Sequence, residues 1–341
     1  MAPWPRLGIR HLERAEGWGM AVAGFSYVLR PRSVEELAMA FDIARREGRP
    51  LALRGAGRSY GDAALNSDGI LLDLSLFSRI LAWDPATGII DAEPGLTIEG
   101  LWKSCIADGW WPPVVPGTMF ATLGGAAAAN IHGKNNFAAG PLGEHILEFD
   151  LLAPTGELVT CSRTQDTDLF HAAIGSFGAL GVFTRLRLQM KRVYSGLLAV
   201  EAYPTRHLPE MVATFEELKP ESDYLVGWVD CLAGGGALGR GLIHRGLYLP
   251  EGVDPEPAET LRVSAQDLPP RILGILPKSL VYLLARPFLN RPGVAAVNAA
   301  KYWTSRWTLR GERYRQSHAA FAFLLDYVPN WKWMYQPGGL V

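Results

Sequence analysis

The sequence is short of several features that assign a protein to a class at once. Its 341 residues carry 33 Lys and Arg against 34 Asp and Glu, without a basic block, so the charge pattern of a nucleic-acid-binding protein is missing. The three cysteines, Cys105, Cys161 and Cys231, are spaced for neither a metal site nor a disulfide framework, which indicates a reducing compartment. Mixed charges before the short apolar run 20–25 argue against a signal peptide. We therefore expect a cytoplasmic protein that binds neither metal nor nucleic acid.

Long helical apolar runs are also missing. Residues 109–131 are uncharged, but their three prolines and four glycines argue against a membrane-spanning helix and predict buried loops with one small-residue helix. Hydrophobic residues make up 48% of the chain, enough for a large core, and the length predicts about two domains.

Periodicity predicts alternating strands and helices in the first half. Ser33 with Glu36 forms a capping-box pattern that predicts a helix start, and Gly48 predicts its end. Thr97 is a second predicted cap. Strands are predicted at 27–29, 51–54, 70–74, 89–92 and 183–190, with a hairpin at 146–153 and 158–161.

The pattern changes after about residue 195. An antiparallel sheet is predicted from the runs at 197–202, 224–230 and 242–246, and a helix from residues 210–218. The stretch 250–270 is rich in proline and acidic residues and is predicted to be an exposed loop. Alternation in 320–325 favours a core strand, and the aromatic residues of 303–335 are expected in the core or a pocket wall. The apolar run 280–288, with basic edges, predicts a helix or lid; contact with a membrane is the alternative.

Two glycine-containing segments could hold a phosphate. In Arg54–Asp62 (RGAGRSYGD), glycines allow close backbone approach, but a turn and a strand follow instead of the helix that a Rossmann fingerprint needs. The alternative is a tight turn without a ligand. In 116–130, P-G-T is followed by a small-residue run that predicts a helix with N-terminal amides free for an anion; the alternative is close packing alone.

Two further segments add polar and backbone groups. Ile131–Asn136 (IHGKNN) places a histidine, a lysine and two amides in five residues, which favours a functional site over a structural histidine. Gly175–Val182 (GSFGALGV) has three glycines before a strand, which indicates backbone packed against a ligand; the alternative is a bulged turn.

In this order the four segments resemble the vanillyl-alcohol-oxidase (PCMH-type) FAD-binding domain, in particular the decaprenylphosphoryl-β-D-ribose oxidase branch. The resemblance implies an α+β fold: a two-subdomain FAD-binding domain over residues 1–194, then an α+β substrate (cap) domain over 195–341 with an antiparallel sheet. It implies FAD, bound non-covalently because Arg58 stands where many members carry the flavin-linked histidine. The implied cofactor-binding residues are Gly55, Ala56, Gly57, Arg58, Ser59, Tyr60, Gly61, Gly117, Thr118, Thr122, Leu123, Gly124, Gly125, His132, Gly178, Gly181 and Val182.

The same resemblance implies the chemistry. The implied catalytic residues are His132, Lys134 and Tyr60. The substrate would be a sugar or lipid-linked sugar that contacts Lys134 and Trp228 and transfers a hydride to flavin N5. A short-chain reductase partner and peripheral membrane contact are implied expectations; an aldose, polyol or hydroxyacid dehydrogenase is the alternative. Relatives continue past Gly338–Val341 with a further lysine, tyrosine and cysteine. Three expectations follow for this chain. It is a truncated version of such a protein, or other residues take the roles of that lysine, tyrosine and cysteine, or it binds the flavin without catalysing a reaction.

Overall fold

The chain opens with a four-stranded sheet. The computed structural model describes residues 7–272, 275–308, 313–336 and 338–340. The strands are β1 (Leu12–Glu16), β2 (Ala23–Leu29), β3 (Leu51–Arg54) and β4 (Ile70–Asp73), in the spatial order β1-β2-β4-β3. β2, β4 and β3 are parallel, and β1 is antiparallel to β2. Helix α1 (Val34–Glu47) covers one face, where Leu37 and Phe41 pack with Leu29 and Ile70.

The helix signals read from the sequence are largely confirmed. Ser33 Oγ accepts a hydrogen bond from the Glu36 amide at 3.3 Å, and Gly48 ends α1 in the left-handed region at φ 62°. The Glu36 carboxylate, however, accepts from the Arg32 amide at 2.7 Å, one residue earlier than a capping box requires. Thr97 caps α2 (Ile98–Cys105) as predicted.

A second, five-stranded sheet is antiparallel throughout. Its strands are β5 (Ile80–Asp84), β6 (Ile89–Ala92), β8 (Ile146–Leu152), β9 (Leu158–Ser162) and β10 (Val182–Gln189), in the order β5-β6-β10-β8-β9. The predicted hairpin is confirmed as β8 and β9. Strand β7 (Trp110–Trp111) pairs with β11 (Lys191–Arg192), and the helices of this part are α3 (Leu123–Ala128), α4 (Asn136–Ala139) and α5 (Thr167–Ala173). The largest core cluster lies here, with Trp102, Trp111, Phe149 and Phe170 fully buried.

The predicted antiparallel sheet of the second half is confirmed. It consists of β12 (Leu197–Thr205), β13 (Tyr224–Val229), β14 (Gly241–Tyr248) and β17 (Tyr314–Ser317), in the order β13-β14-β12-β17; β15 (Arg271–Ile272) and β16 (Leu276–Pro277) form a small hairpin. The helices are α6 (Leu208–Leu218), α7 (Pro257–Thr260), α8 (Val281–Ala285), α9 (Arg291–Thr308) and α10 (His318–Ala322). The overall α+β class is therefore as expected, whereas the boundary at residue 194 stays a prediction.

One expectation for the second half is wrong, and two hold in part. Residues 250–270 are mostly exposed, as expected, but they are not a plain loop, because they include helix α7 and because Asp254 and Gln266 are buried; the Asp254 carboxylate accepts from Thr260 Oγ1 at 2.6 Å. The predicted strand at 320–325 is helix α10 followed by a 3-10 turn, because Ser317 caps a helix through the Ala320 amide. Phe321 and Phe323 are buried as expected, but Trp307 is 78% exposed.

The uncharged stretch 109–131 contains only the short strand β7 and helix α3, as predicted. Among the described residues, none of the helices combines the length and the apolar character needed to cross a bilayer.

Candidate cofactor site

A cleft of about 1160 Å³, counting its open mouth, runs between the two sheets of the first half. Three of the four segments singled out in the sequence line it directly, and the fourth, Ile131–Asn136, reaches it only through Ile131. The predicted cofactor residues that line it are Gly55, Ala56, Gly57, Arg58, Ser59, Thr118, Thr122, Gly124, Gly125, Gly178 and Gly181. Leu53, Leu74 and Phe183 add apolar side chains to its lining.

The loop after β3 offers its backbone to the cleft. Within the part of the chain that the structure describes, none of the amides of residues 56–61 donates to a protein acceptor. Gly57 has φ 62°, and a Cβ there would collide with the Arg54 guanidinium, so this position requires glycine. The loop is held from outside, because the Trp18 amide donates to Ser59 O at 2.8 Å. Free, preorganised amides of this kind are suited to an anion.

Arg58 supplies a half-buried cation at the same place. Its guanidinium carbon lies 4.1 Å from the ring centroid of Trp18 and 5.0 Å from that of Phe120, which fixes the plane of the group. Its Nε is buried, and no hydrogen-bond partner for it lies among the described residues. Burial lowers the pKa of Arg58, and the charge of Asp326 opposes this shift. Because Arg58 lines the cleft, its guanidinium is placed to pair with an anionic ligand there.

The small-residue helix α3 differs from the expectation in one respect. Its first amides are not free for an anion: those of Leu123 and Gly124 donate to Leu96 O and Pro94 O, both at 2.7 Å. A Cβ at Gly124 would lie 2.5 Å from Pro94 Cβ, so close packing explains this glycine. A Cβ at Gly125, in contrast, would meet only Thr122 Oγ1 and otherwise open space. The helix therefore keeps room for a ligand and does not donate to it from its first turn.

Asp326, from the second half of the chain, closes the P-G-T loop, and no sequence pattern pointed to it. Its carboxylate accepts from Thr118 Oγ1 at 2.8 Å and from the Met119 amide at 2.7 Å. Burial raises the pKa of this carboxyl group, while the two hydrogen bonds and the charge of Arg58 act in the opposite direction. Asp326 thus fixes a loop that lines the cleft.

Lys134 lies outside the cleft lining. Its Nζ donates to Phe321 O at 2.7 Å and to Ala322 O, and its own carbonyl accepts from the Leu225 amide at 2.9 Å. Burial lowers the pKa of Lys134 to about 8. This lysine therefore joins the first half of the chain to strand β13 and helix α10 of the second half.

His244 is a second residue that sequence reasoning missed. Burial lowers its pKa, and the charges of Lys301 and Lys134 act in the same direction. Trp228 pairs with Leu242 on the neighbouring strand, and Lys301 Nζ lies 4.4 Å above its ring. A single histidine in a strand of alternating residues does not stand out in the sequence as a functional residue.

The remaining predicted residues do not line the cleft. His132 is exposed, Tyr60 is partly exposed with its ring edge-on to Trp331 at 6.3 Å, and Leu123 and Val182 are buried in the core. Gly117 faces Leu325, and Gly61 has open space around it. The structure therefore gathers the glycine loops, but it does not bring His132, Lys134 and Tyr60 to the same cavity.

The cleft fits a dinucleotide cofactor. Free amides and Arg58 provide donors for its phosphates, and small and apolar residues of the lining provide room for its rings. Within the described ranges, no group of three or more His, Cys, Asp or Glu side chains is placed to hold a metal ion.

Comparison with known proteins agrees with this geometry. A family described as FAD binding domain matches residues 25–162. Decaprenylphosphoryl-beta-D-ribose oxidase of Mycolicibacterium smegmatis is 34% identical over 238 residues, which are 69% of this chain and 52% of that protein. Cytokinin dehydrogenase 2 of Oryza sativa subsp. japonica is 28% identical over 256 residues (72% of this chain, 43% of that protein). D-lactate dehydrogenase of Anaerostipes hadrus is 27% identical over 188 residues (53% and 39%).

The chain thus spans about half the length, or less, of these curated relatives. The matched range contains the amide-rich loop, Arg58 and helix α3, which are the parts of the cleft that fit the cofactor. The chain therefore contains an FAD-binding domain of the PCMH-type family, and FAD is its cofactor.

Proposed function

We propose that this chain is the FAD-binding part and cap of an oxidoreductase that oxidises a CH–OH carbon of a sugar, in particular a polyprenyl-phosphate-linked pentose. The observation that carries the proposal is the convergence of three glycine segments and Arg58 on one cleft in the matched domain. The name of the Mycolicibacterium relative supports the sugar class. FAD supplies the hydride acceptor, and the substrate hydroxyl loses a proton as the carbonyl forms.

The cofactor is held by the loop after β3. The amides of residues 56–59 and the Arg58 guanidinium bind and neutralise the pyrophosphate, because they line the cleft and are donors without protein acceptors among the described residues. Gly125 leaves room for the bulk of the cofactor. Asp326 keeps the opposite loop in place.

Lys134 orients the substrate. An ammonium group has three donors, and two of them are used by Phe321 O and Ala322 O. The third is left for a substrate hydroxyl or phosphate oxygen. In this proposal, the substrate side is completed by His132, Tyr60 and Trp228. A short-chain reductase that reduces the ketone product would complete an epimerisation, and a cytoplasmic location is part of the same proposal.

The alternative substrate class is a small hydroxyacid, which the D-lactate dehydrogenase relative favours. Free aldoses and polyols belong to the same alternative. In a third reading the chain binds FAD without turning over any alcohol.

Anaerobic reduction of the bound flavin separates these possibilities. We expect a polyprenyl-phosphoryl pentose to bleach the flavin absorbance, and D-2-hydroxyacids, free aldoses and polyols to leave it unchanged. Bleaching by a free sugar or a hydroxyacid alone would select the alternative class. A yellow protein that no alcohol bleaches would overturn the enzymatic proposal.

The role of Lys134 has its own comparison. We expect Lys134→Ala to retain FAD and to lose bleaching, whereas Lys219→Ala, which removes a lysine paired with Glu216 on the protein surface, keeps both. Loss of FAD from Lys134→Ala would show that this lysine supports the fold of the cofactor site instead.

A further inference from the structure

Phe177 is an exposed aromatic residue with a strained backbone on the lining of the cofactor cleft. It belongs to the glycine-containing segment 175–182, which leads into strand β10, and it is 67% exposed. Its φ is 53°, in the left-handed region that bulky side chains rarely adopt. Strain of this kind persists where the surrounding structure enforces it, and it is concentrated at ligand-binding positions. Since Phe177 does not fill the core, packing does not explain its strained conformation.

Hydrogen bonds to helix α3 hold the backbone of Phe177 in this conformation. The Phe177 amide donates to Ala128 O at 2.9 Å, and the Gly175 amide donates to Ala127 O at 3.1 Å. Both acceptors lie in the last turn of the small-residue helix that contributes to the cleft. The backbone therefore sets the direction of the Phe177 side chain before a ligand binds, as in a preorganised contact.

Phe183 also lines the cleft, but packing explains its position. It is 5% exposed, and its ring lies edge-on to that of Phe149 with the two centroids 4.8 Å apart. Phe177, in contrast, leaves most of its surface accessible at the cleft. An aromatic ring that is fixed by its backbone and accessible is suited to stack on a flat ring of a ligand.

We propose that the Phe177 ring stacks on the adenine of FAD. The cofactor has two flat ring systems, adenine and isoalloxazine, on opposite sides of its pyrophosphate. The isoalloxazine has to lie beside the substrate with water excluded, a requirement that rests on the hydride transfer of the proposed function. Adenine takes no part in that reaction and tolerates the accessible position of Phe177. Phe177 is then a contact that FAD makes and FMN does not.

The neighbouring packing agrees with this assignment. A Cβ at Gly178 would lie 2.6 Å from Leu53 Cδ1, so the segment that carries Phe177 lies against strand β3. That strand leads directly into the loop 56–59, to which we assign the pyrophosphate. The segment of Phe177 is therefore anchored to the strand whose end holds the phosphates.

Titration of the flavin-free protein with FAD, ADP and FMN tests the proposal, because ADP contains the adenine and FMN contains the isoalloxazine. Phe177→Asn removes the ring, and asparagine tolerates the left-handed region. We expect this variant to bind FAD and ADP about tenfold more weakly, as the loss of one stacked base predicts, and to bind FMN as the unchanged protein does. Phe177→Tyr keeps an aromatic ring and should retain the affinity for all three ligands.

Leu180→Asn is the matched control. Leu180 belongs to the same segment and is 38% exposed, but it does not line the cleft, so its replacement should leave all three affinities unchanged. Urea unfolding without ligand adds a second measurement. Because asparagine relieves the backbone strain, Phe177→Asn should be at least as stable as the unchanged protein, whereas the loss of a packing residue would make it less stable.

Three results would overturn the proposal. Unchanged affinities for ADP and FMN in Phe177→Asn would show that the ring contacts neither half of the cofactor. Weaker FMN binding with unchanged ADP binding would place the ring on the isoalloxazine. Lower stability with an equal loss of all three ligands would assign Phe177 to the fold. If the asparagine variant does not fold, Phe177→Gly, which also accepts this φ, provides the same comparison. No substrate enters these titrations, so their outcome is separate from whether a sugar bleaches the flavin.

Discussion

Replacing Asp326 by asparagine tests whether the second half of the chain holds the cofactor loop. The carboxylate accepts two hydrogen bonds, from Thr118 Oγ1 and the Met119 amide, and lies near Arg58. Hydrogen bonds to a charged group contribute about 1.5–3 kcal/mol each, and asparagine keeps the shape and one acceptor oxygen. The variant therefore loses about 2 kcal/mol from the closed form of the loop. If only the closed loop binds FAD, its dissociation constant rises by up to roughly thirtyfold.

Titration of FAD into the flavin-free protein, followed by quenching of flavin fluorescence, measures this effect. Thr118→Val removes one of the two hydrogen bonds and should give a smaller increase. Glu217→Gln removes the same charge from an exposed position on helix α6 and should leave FAD affinity unchanged. If Asp326→Asn binds FAD as tightly as the unchanged protein while its free energy of unfolding falls, the carboxylate stabilises the fold and does not act on the cofactor loop.

Three further predictions follow from the same geometry. Burial lowers the pKa of Lys134 to about 8 from an ordinary value of 10.5. Between these two pH values the unfolded chain binds this proton and the folded protein does not, so the free energy of unfolding should rise as the pH is raised from about 8 to 10.5. Urea midpoints of the unchanged protein should show this rise, and those of Lys134→Met should not. Gly125→Leu should fill the cleft and abolish FAD binding while circular dichroism stays unchanged, whereas Gly61→Leu, which enters open space outside the cleft, should bind FAD normally. Acid precipitation should release all flavin into the supernatant, because Arg58 forms no covalent flavin bond; colour in the pellet would contradict this.

The parts of the fold that depend on neighbouring residues could be predicted from the sequence. Ser33 and Thr97 cap helices through amides three residues away, and the hairpin of β8 and β9 is set by the short turn between them. The glycine loops could be predicted as cleft residues only through the resemblance to the FAD-binding family, because each loop by itself fits a tight turn or close packing as well as a ligand. The helix α10 could not, because a short alternating run fits a strand as well as a buried helix.

The parts of the site that depend on distant contacts could not be predicted. Asp326 and Thr118 are 208 positions apart, and Lys134 and Phe321 are 187 positions apart. The amides of Leu123 and Gly124 were expected to be free because no sequence pattern shows that Pro94 and Leu96 place their carbonyl groups beside them. Polar groups in this site are satisfied by backbone atoms of other segments, which carry no residue-specific signal.

One short segment, residues 321–326, connects the cofactor side to the proposed substrate side. Its carbonyl groups at Phe321 and Ala322 hold Lys134, and its carboxylate at Asp326 holds the loop at Thr118. Since Phe321 and Ala322 are buried, the segment cannot move far without exposing core surface, so both loops are fixed relative to each other. The second half of the chain therefore contributes to the geometry of the cofactor site, although the match to the FAD binding domain covers only residues 25–162.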